Sequence, residues 1–157
     1  MMKKILTQLV LVITLGLAPG AHASQISELK VEAAFEDVLQ DLSDAIINRG
    51  YKIDYQAFVG DMLKRTAADI EGSQPIYKDA QLLQFCSAVL SRKAMQADPA
   101  NIAFCPYILF VYERADEAGN VRVGFRRLDE TGSEASKQAL AAVNAVLQEM
   151  IEEAADQ

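Results

Sequence analysis

The sequence predicts an α+β domain, and three observations point there. Several short segments alternate apolar and polar residues at the period of a strand, or run as an apolar, branched block. Two longer segments, beginning at Phe35 and Leu140, repeat apolar residues at helical spacing. Strands and helices are interspersed unevenly, which fits an α+β sandwich better than the regular alternation of a doubly wound sheet. Composition sets the frame: 157 residues, 51% hydrophobic and 24% charged, with 2 Cys and no Trp. That is an ordinary globular chain, neither disordered, collagen-like nor disulfide-dense.

The first 23 residues read as an address. Lys3 and Lys4 precede an apolar run from Ile5 to Leu17, then Pro19, Gly20 and the small-x-small triplet Ala21-His22-Ala23. This is the layout of a secretory signal peptide, and the run is shorter than the roughly 20 apolar residues that span a bilayer. The expectation is a signal peptide over 1–23, cleavage near Ala23, and a single periplasmic or otherwise secreted domain over 24–157 with no stable membrane anchor. Cleavage removes His22, the only His of the chain, together with Lys3 and Lys4. A mature chain without imidazole has no Ser-His-Asp triad, no Cys-His pair and no His metal ligand. Its acidity, already −7 before cleavage, argues against nucleic acid, which needs clustered Lys and Arg.

The elements follow in order. Leu29, Val31 and Ala33 alternate with charged residues, predicting an edge-like strand. Phe35, Val38, Leu39, Leu42, Ala45 and Ile46 form a helical stripe. Acidic residues load its N-terminal part and Gly50 follows as a stop, so the helix should end near Asn48–Arg49. Tyr51, Ile53 and Tyr55 alternate into a second strand. Val59, Met62, Leu63 and Ile70 suit a short amphipathic helix after Gly60. Residues 71–75 read as a loop, and Asp79 to Gln96 is ambiguous between one long helix and a strand followed by a helix. Tyr107 to Tyr112 is continuously apolar and aromatic, predicting a central strand covered on both faces. Ala118-Gly119-Asn120 turns the chain into a hairpin with Val121, Val123 and Phe125. Thr131 and Glu134 have capping-box spacing ahead of a stripe of Leu140, Val143, Val146, Leu147, Met150 and Ile151, the clearest helix of the chain.

One set of residues goes beyond generic patterning: Arg49-Gly50-Tyr51, Gly60 to Thr66, Phe85-Cys86-Ser87-Ala88, Ala97-Asp98-Pro99, Cys105-Pro106-Tyr107 and Leu109 to Glu113. Together they resemble the bacterial family known as domain of unknown function 302, over most of Val31 to Arg127. Where much of that family carries a Gly-Asn-Pro turn, this chain has Cys86-Ser87-Ala88, so it is similar to a cysteine-bearing variant. The resemblance implies a small antiparallel sheet packed against helices, similar to the TATA-binding-protein-like class, and a homodimer. It also implies a strand near Ala80–Cys86 and a helix near Ser87–Gln96. It carries over no reaction, substrate or catalytic residue.

Chemistry is sparse. No nucleophile-elbow, phosphate-loop or dinucleotide motif occurs. Cys86 and Cys105 are the only thiols, and three readings compete for them, one of which is simply two unpaired buried thiols. In an oxidising compartment they would pair as a structural disulfide. Alternatively, a helix starting at Ser87 would make Cys86 a reactive thiol, although no Cys-x-x-Cys motif is present. Lacking Cys-x-x-Cys or Met-x-x-Met spacing, the sulfurs with Met62 or Met95 are not read as a copper site. Alternation sets Arg122 and Arg126 on one strand face. That face is a candidate for binding a small anion, or a solvated row that blunts edge pairing. The expectation is therefore a non-catalytic binding module for a small ligand or a protein, with no cofactor and no metal. The alternative is a thiol-based accessory in redox or sulfur handling that uses Cys86 and Cys105.

Overall fold

The computed structural model describes residues 25–156; the proposed signal peptide lies outside them. Five strands, β1 (Ile26–Val31), β2 (Lys52–Ala57), β3 (Tyr77–Cys86), β4 (Tyr107–Arg114) and β5 (Val121–Arg126), form one sheet. Its order is β1-β5-β4-β3-β2, antiparallel throughout. The helices are α1 (Phe35–Asn48), α2 (Val59–Thr66), α3 (Ala88–Ala97) and α4 (Glu134–Ala155). The α+β class with a small antiparallel sheet is thus as expected, and β1 is an edge strand.

The core lies between one sheet face and two helices. α1 and α4 pack against each other and on the sheet, and α3 packs against α4. The apolar stripes supply the contact: Val38, Leu42 and Ile46 of α1 and Leu140, Val143, Leu147 and Ile151 of α4 are buried. They meet Leu83, Phe85, Leu109, Val111, Val123 and Phe125 from the sheet. Each fully buried side chain of this size contributes about 1.5–3 kcal/mol. Gly50 stops α1 with φ +76, a conformation that favours glycine. Asn144 of α4 reaches the backbone after β5, accepting from Leu128 N (2.8 Å) and donating to Leu128 O (2.9 Å).

The segment 79–96 is split, with β3 ending at Cys86 and α3 beginning at Ala88. Ser87 caps α3 by accepting from Leu90 N. The 3-10 turn Pro99–Phe104 follows, and Asn101 ties it to Ala94 O and Ser136 Oγ.

Four expectations are corrected. β4 is covered on one face only: Tyr107, Leu109, Val111 and Glu113 are buried, while Ile108 is 40% exposed. Antiparallel sheets permit this, since no crossover helix has to cover the second face. Tyr55 does not follow Tyr51 and Ile53. The register shifts between Ile53 and Tyr55, which turns Tyr55 onto the face of Gln84 and leaves it 59% exposed. α2 begins at Val59, and Ile70 lies beyond it, exposed. This helix packs by close backbone approach, because a Cβ on Gly60 would stand 2.8 Å from Ala80 N. Finally, Ser133, not Thr131, caps α4 by accepting from Ser136 N (3.2 Å).

Candidate functional site

The sheet face opposite α1 and α4 holds a groove of about 910 Å³. Its floor comes from the strand positions that point away from the core: Ala80 and Leu82 of β3, Phe110 and Tyr112 of β4, and Ile26 of β1. Val59 of α2 and the segment Pro75–Tyr77 form its rim. Tyr112 meets Tyr77 edge-on at 5.4 Å between ring centroids and lies 5.8 Å from Phe110. Phe110 sits opposite Gly124, which has no side chain to displace the ring; a Cβ there would be 2.6 Å from Phe110 Cζ.

Charge at the polar end of the groove is matched by ion pairs, although Arg122 Nη1 is buried without a hydrogen-bond partner among the described residues. Tyr112 donates to Glu28 Oε2 (3.0 Å), and burial together with that bond pushes its phenol above the ordinary value. Arg122 ion-pairs with Glu117 (2.6 Å), stands 3.8 Å from Glu28, and lies over the Tyr112 ring at 5.8 Å. Lys30 shares Glu117 (2.8 Å), and Arg114 grips Asp116 with two bonds of 2.9 and 2.8 Å. Arg122 and Arg126 do share the open face, with Gly124 between them. An anion approaching Arg122 meets the carboxylates of Glu117 and Glu28 on the same guanidinium.

The thiols form a second cluster, at the opposite end of β3. Cys86 is exposed, Cys105 is half-buried, and both are free. Their sulfurs stand 3.5 Å apart, Cys86 donating to Cys105, a separation wider than the roughly 2.05 Å of a disulfide bond. Ser91 Oγ lies 3.1 Å from Cys105 Sγ and donates to Tyr107 Oη (3.2 Å). Partial desolvation of the sulfur, then the hydrogen bond to Cys105, pushes the thiol of the otherwise exposed Cys86 up to about 11. The Cys105–Pro106 peptide is cis. Among the described residues no group of three or more His, Cys, Asp or Glu is placed to hold a metal, and no helix is long and apolar enough to cross a membrane.

Sequence reasoning missed the groove. The signal was present in Ile108, Phe110 and Tyr112, the outward half of a strand read as covered on both faces, and in Gly124 between two outward arginines.

The family model for the domain of unknown function DUF302 matches residues 27–157. The chain belongs to the DUF302 family. Among solved structures it is similar to an uncharacterized conserved DUF302 protein from Bacillus stearothermophilus, at a TM-score of 0.69 and 16% identity. That match covers 84% of this chain and 99% of the other. No curated protein matches. The DUF302 relationship therefore accounts for the fold, while the groove and the thiol cluster are described from this chain's own residues.

Proposed function

We propose that the protein is a non-catalytic binding module that holds a small, largely apolar and uncharged molecule in the groove of its open sheet face. The groove itself carries this reading. Its volume of about 910 Å³ falls in the range of small-molecule sites, and an apolar lining with few polar groups is their usual chemistry. The ion pairs Arg114–Asp116 and Arg122–Glu117 leave the polar end balanced, which favours a neutral guest over an anion. Titration with the neutral dye Nile red tests it. Saturable one-to-one binding is expected, and Leu82→Glu, which puts a carboxylate on the floor, should weaken it at least tenfold. Non-saturable binding, or a Leu82→Glu variant that binds unchanged, refutes the reading.

Export and a homodimer belong to the same proposal. The pattern of residues 1–23 supports export, and a mature N-terminus at Ser24 in periplasmic extracts would test it. The family resemblance supports the homodimer, as does the exposure of Tyr55, Phe58 and Ile108; sedimentation equilibrium measures it directly.

A second reading, a thiol-based accessory in redox or sulfur handling, is favoured by the 3.5 Å approach of Cys86 and Cys105. The matching test is whether oxidants convert the two thiols into one disulfide in the folded chain.

A further inference from the structure

The two sulfurs are close but unlike. Cys86 closes β3 and is exposed; Cys105 leaves the 3-10 turn half-buried. From 3.5 Å, a shift of about 1.5 Å brings them to bonding distance. Ser91, in the first half of α3, sets its hydroxyl 3.1 Å from the inner sulfur. A small molecule in solution reaches the outer one.

We propose that Cys86 and Cys105 are a reversible dithiol–disulfide couple, opened and closed in the folded protein by small thiols and their disulfides, with Cys86 as the sulfur that exchanges. This rests on the second reading above. In opening, the thiolate of a small reductant attacks Cys86 Sγ. The Cys86–Cys105 bond breaks, its electron pair leaves on Cys105, and that sulfur takes a proton from water beside the Ser91 hydroxyl. A second small thiol then attacks the small-molecule sulfur of the mixed disulfide, which frees Cys86 and releases a small disulfide. Two small thiols are oxidised and the pair is reduced by two electrons. Closing is the reverse: a small disulfide takes both electrons and leaves as two small thiols, which carry away the protons of Cys86 and Cys105. Exposure directs the attack to Cys86, and exchange is fastest where the attacked sulfur is accessible and the leaving sulfur is stabilised. Exposed disulfides of this kind are the labile ones. Closing starts from the Cys86 thiolate, which has Asp54 and Lys52, the register partner of Cys86, on β2 beside it, with Cys105 and the Tyr107 backbone on the other side. With the thiol held up near 11, closing is slow at neutral pH and quickens as the solution becomes alkaline.

The test uses the mature wild-type chain, closed with oxidised glutathione at pH 9 and then given stepped reduced glutathione without denaturant. Acid quenching, alkylation and mass measurement count the thiols. Reopening in the native state is expected, within about tenfold of the rate in urea. In parallel, Cys105→Ser should take up one glutathione on Cys86, and Cys86→Ser should take up at least tenfold less on Cys105. Reopening only after unfolding, or an adduct that favours Cys105, overturns this proposal while the pairing stands. A pair that never closes overturns this proposal and the second reading together. The wild-type measurement decides even if a variant misfolds.

Discussion

Replacing Gly124 by alanine joins the fold to the groove in one perturbation. A Cβ at this position would overlap Ser27 O of β1 and stand 2.6 Å from Phe110 Cζ and 2.8 Å from Glu28 Cβ. Ordinary carbon contacts are about 3.5–4.0 Å, so the ring must retreat by about 1 Å and the β1 backbone must also give way. Overpacking of this kind costs about 1–3 kcal/mol. Alanine recovers about 0.4–1 kcal/mol by restricting the unfolded chain, leaving a net loss of roughly 1–2 kcal/mol. At a urea dependence of about 2 kcal/mol per molar, the unfolding midpoint should fall by about 0.5–1 M. Circular dichroism in urea measures it, and Nile red affinity should fall in the same variant because Phe110 is groove floor. Phe110→Leu in the Gly124→Ala background should recover part of the loss, since the ring clash goes and the Ser27 clash stays. A midpoint within about 0.2 M of wild type, or no coupling between the two changes, would refute the claim that Gly124 is there to seat the ring.

Two further predictions concern the buried polar anchors. Asn144→Leu strands Leu128 N and Leu128 O, both buried, and should cost about 2–6 kcal/mol at roughly 1–3 kcal/mol for each unsatisfied group; thermal or urea unfolding reads it, and a loss under about 0.5 kcal/mol contradicts the bonding described. Glu113 is buried; burial acts to raise its carboxyl, but the Gly119 N–H and Lys78 outweigh that and hold it below the ordinary value. Its stabilising contribution is therefore complete above the unfolded value, about 4.3, and is lost as pH falls through the lower folded one. Glu113→Gln should flatten the fall in urea midpoint across that acid window, and parallel profiles for wild type and variant would contradict it.

The parts of the fold that could be read from sequence are those with one buried face. α1, α4 and β1 each show a clean period because one side meets the core and the other meets water. The illegible parts are apolar on two sides for two different reasons. Leu83 and Phe85 face the core, while Leu82, just before Leu83, lines the groove, so β3 loses its alternation and resembles a helix. β4 loses it in the same way, through Phe110 and Tyr112. An apolar strand face that serves a cavity is indistinguishable, in one sequence, from a face covered by helices. The extra residue at Asp54 leaves no compositional mark either. The glycine at position 60 matters through a contact with Ala80, twenty residues away in the chain. The same distance problem hides one partner of Arg122: its place on the open face follows from alternation, but Glu28 lies on another strand, while Glu117 comes from the adjoining hairpin turn.

The two clusters share a strand and should nonetheless act independently. Cys86 ends β3, and Leu82, the groove residue of β3 nearest to it, lies four residues back, which at about 3.3 Å per residue is roughly 13 Å. Between them β3 is paired on both sides, to β2 and to β4, and its alternate side chains Leu83 and Phe85 are fixed in the core. Coupling over that distance needs an element with two arrangements that both sites bias. Closing the sulfurs moves side chains at the end of the ladder, where Ser91 and Tyr107 already hold Cys105 in place, and supplies no second arrangement for the ladder. Perturbations this far apart without shared partners add within about 0.3–0.5 kcal/mol, which corresponds to about a twofold change in affinity. Nile red should therefore bind the oxidised and reduced protein equally within that factor. A tenfold difference would mean that β3 shifts as a unit when the disulfide forms, and the thiol couple would then be a control on the groove instead of a separate site.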